Sequence, residues 1–420
     1  MMKQRDDMNI IIERTKRFCG YIVGIVFFVS GVLKLLDPVG TGLIVEEYYK
    51  FLHLGFLSFS AKPVAVMLAL TESLLGAALI TGLWRKVIAV AVLLFMGFFT
   101  LVSVALLVFN PVMDCGCFGE AVHLTHFQTF VKNLVLDALC CASFFPFSAL
   151  GRPRKRKYVA FSMVTAGLAV FTVYSLVYIP LLNFTDYSVS ARLEASERHI
   201  ARAMDTEDEY EAIFIYEKDG RVEEFTLENL PDSTWNFVST ETVKKERPGL
   251  DEASISLPVI DGEGKYHDEL AAGEKVMVVS VYAPESLPLR KWAALSAYLE
   301  DASAGGFRPL LLVAASPESG REILDRIGKE GTADMDFLRS VFYYSDYKAL
   351  ISLNRSNGGA TYFSEGFLVR KWAFKALPGS ERLVELGTED PTEPLLSYGT
   401  VGNLSFQAFL LYSFAVMLLL

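Results

Sequence analysis

Five apolar stretches, at about 18–36, 64–83, 87–109, 127–149 and 158–180, reach the length that crosses a bilayer, roughly 20 residues. A sixth, at about 402–420, meets the lower limit. These runs dictate a membrane α-helical chain: only helices or closed barrels satisfy their backbone polar groups in lipid. The first run is expected to stay in the chain. Its apolar core is too long for a cleavable leader, and no small-residue cleavage site precedes Lys34 and Asp37.

Charge divides the chain in two. Residues 18–150 hold 13 charged side chains in 133 positions, whereas 181–403 hold 23 Lys and Arg against 39 Asp and Glu. So acidic a half speaks against nucleic-acid binding, which needs a basic surface. Five cysteines in 420 residues exclude a disulfide-rich secreted scaffold.

Basic residues set the expected orientation. Arg14, Lys16 and Arg17 precede the first span, Arg85 and Lys86 separate the second and third, and a basic run from Arg152 to Lys157 separates the fourth and fifth. The 110–126 loop has no Lys or Arg. The N-terminus (1–17) is therefore expected in the cytoplasm, with the loop and the acidic segment outside, on the periplasmic face of an inner membrane. Ionisable groups inside the spans are Lys34, Glu72, Lys132 and Asp137. Such groups are costly in hydrocarbon and face a bundle interior. Two bases and two acids at similar depth suggest pairing, either as structural ion pairs or as a proton- or quinone-linked site.

The outside loop carries Asp114-Cys115-Gly116-Cys117-Phe118-Gly119. A bridge across one residue needs the tight turn that Gly116 permits, and strained exposed disulfides are labile and oxidising. Three readings stay open: a redox-active Cys115–Cys117 pair, a structural staple, or a metal set completed by His123 and His126. Asp114 would oppose thiolate formation. Cys19, Cys140 and Cys141 lie in or near spans and read as apolar fillers.

With the run Val29-Ser30-Gly31-Val32-Leu33-Lys34, Glu72 with Gly76 and Gly82, the Cys-Gly-Cys-Phe-Gly run and Thr129-Phe130-Val131-Lys132-Asn133, residues 18–150 resemble the DoxX/MauE family of four-helix membrane proteins. The resemblance implies redox or maturation work on periplasmic proteins. The whole chain resembles the long form of that family typical of Bacteroidota, in which a fifth span (here 151–180 with its basic loop) leads to a thioredoxin-like domain.

The acidic half begins with a linker and hairpin region, 181–254, where Lys218-Asp219-Gly220 separates two strand-like runs. From 255 to 400, strands and helices alternate, the pattern of a mixed α/β domain. Expected strands lie at 276–282, 309–314, 341–343, 359–363 and 367–373, with helices at about 287–302, 318–329 and 346–353. Their order resembles a thioredoxin fold. At the place of its Cys-x-x-Cys this chain has Ser286 and Leu289, and Gly358-Gly359 replaces the usual proline. Segment 181–403 contains no cysteine, so it cannot exchange disulfides. It is expected to bind a partner or to cover the Cys-Gly-Cys loop, with Asn354-Arg355-Ser356-Asn357 where a substrate groove would lie.

The expected architecture is thus a four-helix transmembrane bundle with extra spans and a periplasmic α/β thioredoxin-like domain lacking the cysteine pair. Its expected partners are the lipid bilayer and a periplasmic client or redox partner. Cys115 and Cys117 form the candidate redox pair; Glu72, Lys132 and Asp137 are supporting charges near a possible quinone. The rival expectation is a non-enzymatic scaffold or assembly factor.

Overall fold

The computed structural model describes residues 2–111, 115–145, 155–188, 192–193, 210–218, 221–225, 236–244, 254–330 and 334–419. Helix α1 runs Met2–Leu36. Asp37 then ends it and starts α2, Pro38–Phe51: its carboxylate accepts from Gly40 N at 2.9 Å, and Pro38 occupies the first helical turn, where a missing N–H costs nothing. After a 3-10 turn at Gly55–Ser60 come α3 (Ala61–Thr81), α4 (Arg85–Phe109), the short strand β1 (Cys117–Glu120) and α5 (His126–Phe144). Then follow α6 (Lys155–Val177) and, at the end of the chain, the 28-residue α12 (Thr392–Leu419).

Among the described residues, five segments are long and apolar enough to cross a membrane: Ile11–Leu36, Gly55–Thr81, Arg85–Phe109, Lys155–Val177 and Thr400–Leu419. The expected fourth span differs. It is the 19-residue α5, which His126, Gln128, Lys132, Asn133 and Asp137 make too polar to join the five. It nevertheless lies antiparallel to α4, with Asn133 bonded to the Phe99 carbonyl and Asp137 to Thr100. Its length, about 28 Å at 1.5 Å per residue, nearly matches a hydrocarbon core of about 30 Å. Asn133 is buried and Asp137 is bonded to α4, as bilayer energetics require of polar groups at depth, while Gln128 lies exposed in the first turn.

Helices α1 and α3 form the centre of the bundle. Their backbones come so close that a Cβ on Gly76 would collide with the backbone of Phe28, so only glycine fits that crossing. On one side α4 and α5 join them around Val23, Phe27, Val92, Met96, Leu136 and Cys140. On the other, α6 and α12 pack against Phe28, Val32 and Ala77 through Val164, Leu168, Phe406 and Met417. Cys19 and Cys140 are buried fillers as expected; Cys141 instead lies exposed on the surface of α5.

The acidic half contains two sheets. Strands β3 (Tyr210–Lys218), β4 (Arg221–Phe225) and β5 (Asn236–Lys244) form an antiparallel three-stranded sheet ordered β4-β3-β5. This contains the expected hairpin, whose turn residues Asp219 and Gly220 lie outside the described residues, and adds a third strand. The larger sheet contains β2 (Arg192–Leu193), β6 (Ser254–Ile255), β7 (Val276–Val281), β8 (Arg308–Val313), β9 (Phe342–Tyr344), β10 (Gly359–Ser364) and β11 (Phe367–Trp372). Its order is β6-β2-β11-β10-β7-β8-β9. The expected linker thus supplies two short strands at one side of this sheet, β2 beside β11 and β6 at the edge.

Strands β7, β8 and β9 are parallel; β10 runs antiparallel to β7 and forms a hairpin with β11. Every residue of β7 is buried, as its unbroken apolar run implies for a strand covered on both faces. The β10–β11 turn, Glu365-Gly366, has both φ angles positive, the two-residue geometry that matches strand twist. Helices α7 (Leu289–Ala304), α8 (Pro317–Glu330), α9 (Met335–Val341), α10 (Tyr347–Leu353) and α11 (Ser380–Thr388) complete the domain. The expected strands and helices lie within a few residues of those found; α9 and α11 are additions. One face of the sheet packs on Trp292, Leu295, Leu299, Ile327 and Leu383. The other packs on Leu257, Val259, Leu350 and Leu353.

Candidate functional site

The Cys-Gly-Cys loop is folded onto the end of α1 and the face of α2. Ser30 Oγ, on α1, donates to the Cys117 carbonyl at 2.6 Å, and Tyr48 Oη, on α2, donates to the Cys115 carbonyl at 2.9 Å. Gly116 between them has φ +62°, and a Cβ there would lie 2.5 Å from Ile44 Cγ2. Both facts demand glycine. At the far end of the loop, His126 Nε2 donates to the Pro111 carbonyl at 3.0 Å. A capping box between Thr125 and Gln128 then starts α5 and fixes the register that aims Thr129 and Lys132 at the cysteines.

Cys115 is buried, and its thiol and that of Cys117 are hydrogen-bonded to one another. That bond is the main reason the Cys115 value falls from about 9 to about 5. The Thr129 hydroxyl, which lacks a partner of conventional geometry, the Cys117 backbone and the charge of Lys132 act in the same direction; burial opposes them. Cys117 is pushed the other way, first by that shared bond and then by burial. A thiolate at Cys115 beside a protonated Cys117 is the division of labour a nucleophile and a resolving thiol need. Asp114, expected to oppose thiolate formation, lies outside the described residues; the Cys117 bond first, and then Thr129 and Lys132 of α5, lower the Cys115 value.

Lys34 Nζ pairs with Glu72 Oε2 and also donates to Ser30 Oγ at 3.3 Å. A chain of contacts therefore runs from Glu72 through Lys34 and Ser30 to the Cys117 carbonyl. Lys132 and Asp137 do not complete the expected second pair. Lys132 Nζ stands 5.2 Å from the Phe118 ring centre, and Asp137 accepts from Thr100 Oγ1 at 2.7 Å. Five residues apart on α5, they project from different faces of the helix. Among the described residues no group of three or more His, Cys, Asp or Glu is placed to hold a metal ion. The alternative set of Cys115, Cys117, His123 and His126 is not assembled.

The acidic domain meets this loop through Arg355. Its Nε is 2.8 Å from Asp37 Oδ2, and its Nη2 is 3.9 Å from Glu120 Oε2 at the end of the strand that carries Cys117. The Asn354–Asn357 turn is thus a contact with the membrane module. Its neighbour Asn357 bonds to the segment that leads into α7: Nδ2 donates to the Ala283 carbonyl at 2.8 Å and to Ser286 Oγ at 3.0 Å, and Oδ1 accepts from Ala283 N at 3.1 Å. Sequence reasoning gave no role to Ser30, Asp37, Tyr48 or Thr129. Ser30 and Thr129 lie in the runs that carry the family resemblance, and the Asp-Pro helix start is a signal that could have marked Asp37.

Residues 210–246 match a family model described as a domain of unknown function, DUF8463. No curated protein and no solved structure matches the chain. The membrane half is different: residues 11–146, which hold α1 to α5 and the Cys-Gly-Cys loop, match the family model for methylamine utilisation protein MauE, and the chain carries a MauE-like membrane module.

Proposed function

We propose that the chain is an inner-membrane thiol–disulfide exchange component, whose Cys115–Cys117 pair faces the periplasm and serves the redox maturation of client proteins. The observation that carries this reading is the pair of free cysteines one residue apart on a loop pinned by Ser30 and Tyr48, with a thiolate favoured at Cys115. In the reducing direction, the Cys115 thiolate attacks a client disulfide, a mixed disulfide forms and one client thiolate leaves. Cys117, deprotonated as it reacts, then attacks the Cys115 sulfur. The client leaves as a dithiol, and the pair is left oxidised by two electrons. Run backward, the oxidised pair accepts two electrons from a client dithiol, and an oxidant of the quinone class in the bilayer would take them up. The Glu72–Lys34–Ser30 chain ends on the Cys117 carbonyl and holds the loop over the bundle, and Glu72 at its inner end is the group that would accept a proton released as the pair is oxidised.

The acidic domain serves as a docking surface. Its parallel β7-β8 pair, the β10–β11 hairpin and the following α11 give it thioredoxin-like order, while Asn357 fills the position where a substrate thiol would enter. Scaffolding without exchange is the second reading, favoured by the 7% exposure of Cys115. Thiol trapping in membranes separates the two. Under this proposal Cys115 and Cys117 shift between reduced and oxidised forms with client and reductant, and Cys117→Ser, which removes the resolving thiol, traps a client on Cys115 as a mixed disulfide. A double Cys→Ser variant with full function would overturn it.

A further inference from the structure

A cavity of about 220 Å³ lies at the junction of the two halves, between Asp37 and Lys62 of the membrane module, the last turn of α6, and Lys291, Arg355 and Lys375 of the acidic domain. Four cations and one carboxylate line it. Asp37 is already matched by Arg355. Lys62, Lys291 and Lys375 have no carboxylate within ion-pair distance among the described residues, and Lys291 rests its ammonium 4.8 Å from the Phe374 ring centre.

This concentration of positive charge is unlike the rest of the domain. Residues 181–403 carry 16 more acidic than basic side chains, so a surface of average composition would be repelled by anionic lipid. The domain instead turns lysines toward the level at which α1 and α6 end and α3 begins. Each Lys or Arg held near an anionic bilayer surface adds to the attraction. The volume is below the roughly 300–1,000 Å³ of sites for drug-sized ligands, a fit for a headgroup rather than a whole cofactor.

We infer that this junction cavity binds a phosphate group, that of an anionic membrane phospholipid, and so fastens the acidic domain to the bilayer surface independently of the thiol chemistry. Lys62, Lys291 and Lys375 neutralise the phosphate, while Arg355 stays committed to Asp37.

The test uses the full chain in mixed micelles containing phosphatidylglycerol or phosphatidylcholine, with retained lipid read by native mass spectrometry. The wild type should retain phosphatidylglycerol. The Lys62→Gln/Lys291→Gln/Lys375→Gln variant should retain about tenfold less, the loss expected when charge-assisted bonds are removed. Lys348→Gln, at an exposed lysine outside the cavity, should match the wild type. Because the triple variant could fold poorly, Lys375→Gln alone, at an exposed position, is measured alongside and should show a smaller loss with unchanged thermal unfolding. Competition by inorganic phosphate identifies the source. Displacement of phosphatidylglycerol by millimolar phosphate means that the phosphate group alone is read, and phosphate-dependent stabilisation without lipid retention makes the natural ligand a soluble phosphate. Equal lipid retention by wild type and both lysine variants, with no response to inorganic phosphate, overturns the proposal.

Discussion

Arg355 and Asp37 stand 318 positions apart in the chain, yet Arg355 Nε reaches Asp37 Oδ2 at 2.8 Å with both side chains only 7% exposed. The aspartate uses its other oxygen to cap α2. One carboxylate thus ends a membrane helix, starts the next and holds the acidic domain over the cysteine loop.

Breaking this pair from either side should be costly. Removing one partner of a buried ion pair leaves the other desolvated and unmatched, at about 3–5 kcal/mol. Arg355→Ala is expected to lower the unfolding midpoint and to expose the α6 exit to protease; Arg355→Lys should recover little, since one ammonium cannot reach Asp37 and Glu120 as the guanidinium does. The double variant Arg355→Met/Asp37→Asn should be less harmed than Arg355→Ala. Additive losses in that cycle would show that the two residues are not coupled.

The reactivity of Cys115 should be nearly flat with pH. A thiol titrating at about 5 is already thiolate at pH 6, whereas an ordinary thiol gains about tenfold in thiolate per unit up to about pH 8.5. Alkylation of Cys115 in a Cys117→Ala background tests the cause as well. Loss of the Cys117 bond, the largest contribution, should restore a steep rise between pH 6 and 8. As an acid whose value is lowered by folding, Cys115 adds stability to the reduced protein that is complete above about pH 9 and lost as the pH falls toward 5.

Buried charge in the bundle gives a third expectation. Glu72→Ala strands Lys34 between α1 and α3 and should destabilise by about 3 kcal/mol or more. Glu72→Gln keeps a hydrogen-bond acceptor and should cost less. If Glu72 accepts a proton released as the pair is oxidised, Glu72→Gln should slow reoxidation of the cysteine pair while leaving the unfolding midpoint within a few degrees of wild type. Unchanged reoxidation kinetics in a folded Glu72→Gln protein would confine Glu72 to a structural role.

What could be read from sequence follows the range over which each signal acts. Apolar length marked α1, α3, α4, α6 and α12, and alternation with turn residues marked β7 through β11, because burial of a helix or strand is written along the element itself. Similar depth suggested that Lys34, Glu72, Lys132 and Asp137 pair, and only Lys34 and Glu72 do: depth along a span says nothing of helix face, and Asp137 instead accepts from Thr100 on α4. Helix α2 has no long apolar run, so only its Asp37-Pro38 start was legible. The low value at Cys115 depends on Cys117, Thr129 and Lys132 converging in space. The Arg355–Asp37 contact joins segments that share no local pattern at all.

Lys371 supplies the last prediction. It sits on β11 with its side chain wholly enclosed, and no ion pair to it is present among the described residues. Burial, and then the positive charge of Arg355, pull its value from 10.5 down to about 7, while Asp37 pulls weakly the other way. A base whose value is lower in the folded chain binds fewer protons there than when unfolded between about pH 7 and 10.5. Stability therefore rises with pH across that window, by at most about 1.4 kcal/mol per unit for one proton, and is unaffected by this group below it. Lys371→Met, of similar length and without a charge to desolvate, should raise the unfolding midpoint at pH 7 and flatten the rise between pH 7.5 and 9.5. Chemical denaturation of the full chain at several pH values in that interval, wild type against variant, is the measurement. Parallel pH curves for the two proteins would mean that Lys371 finds a counter-charge in solution and that the Arg355–Asp37 contact does not need it neutral.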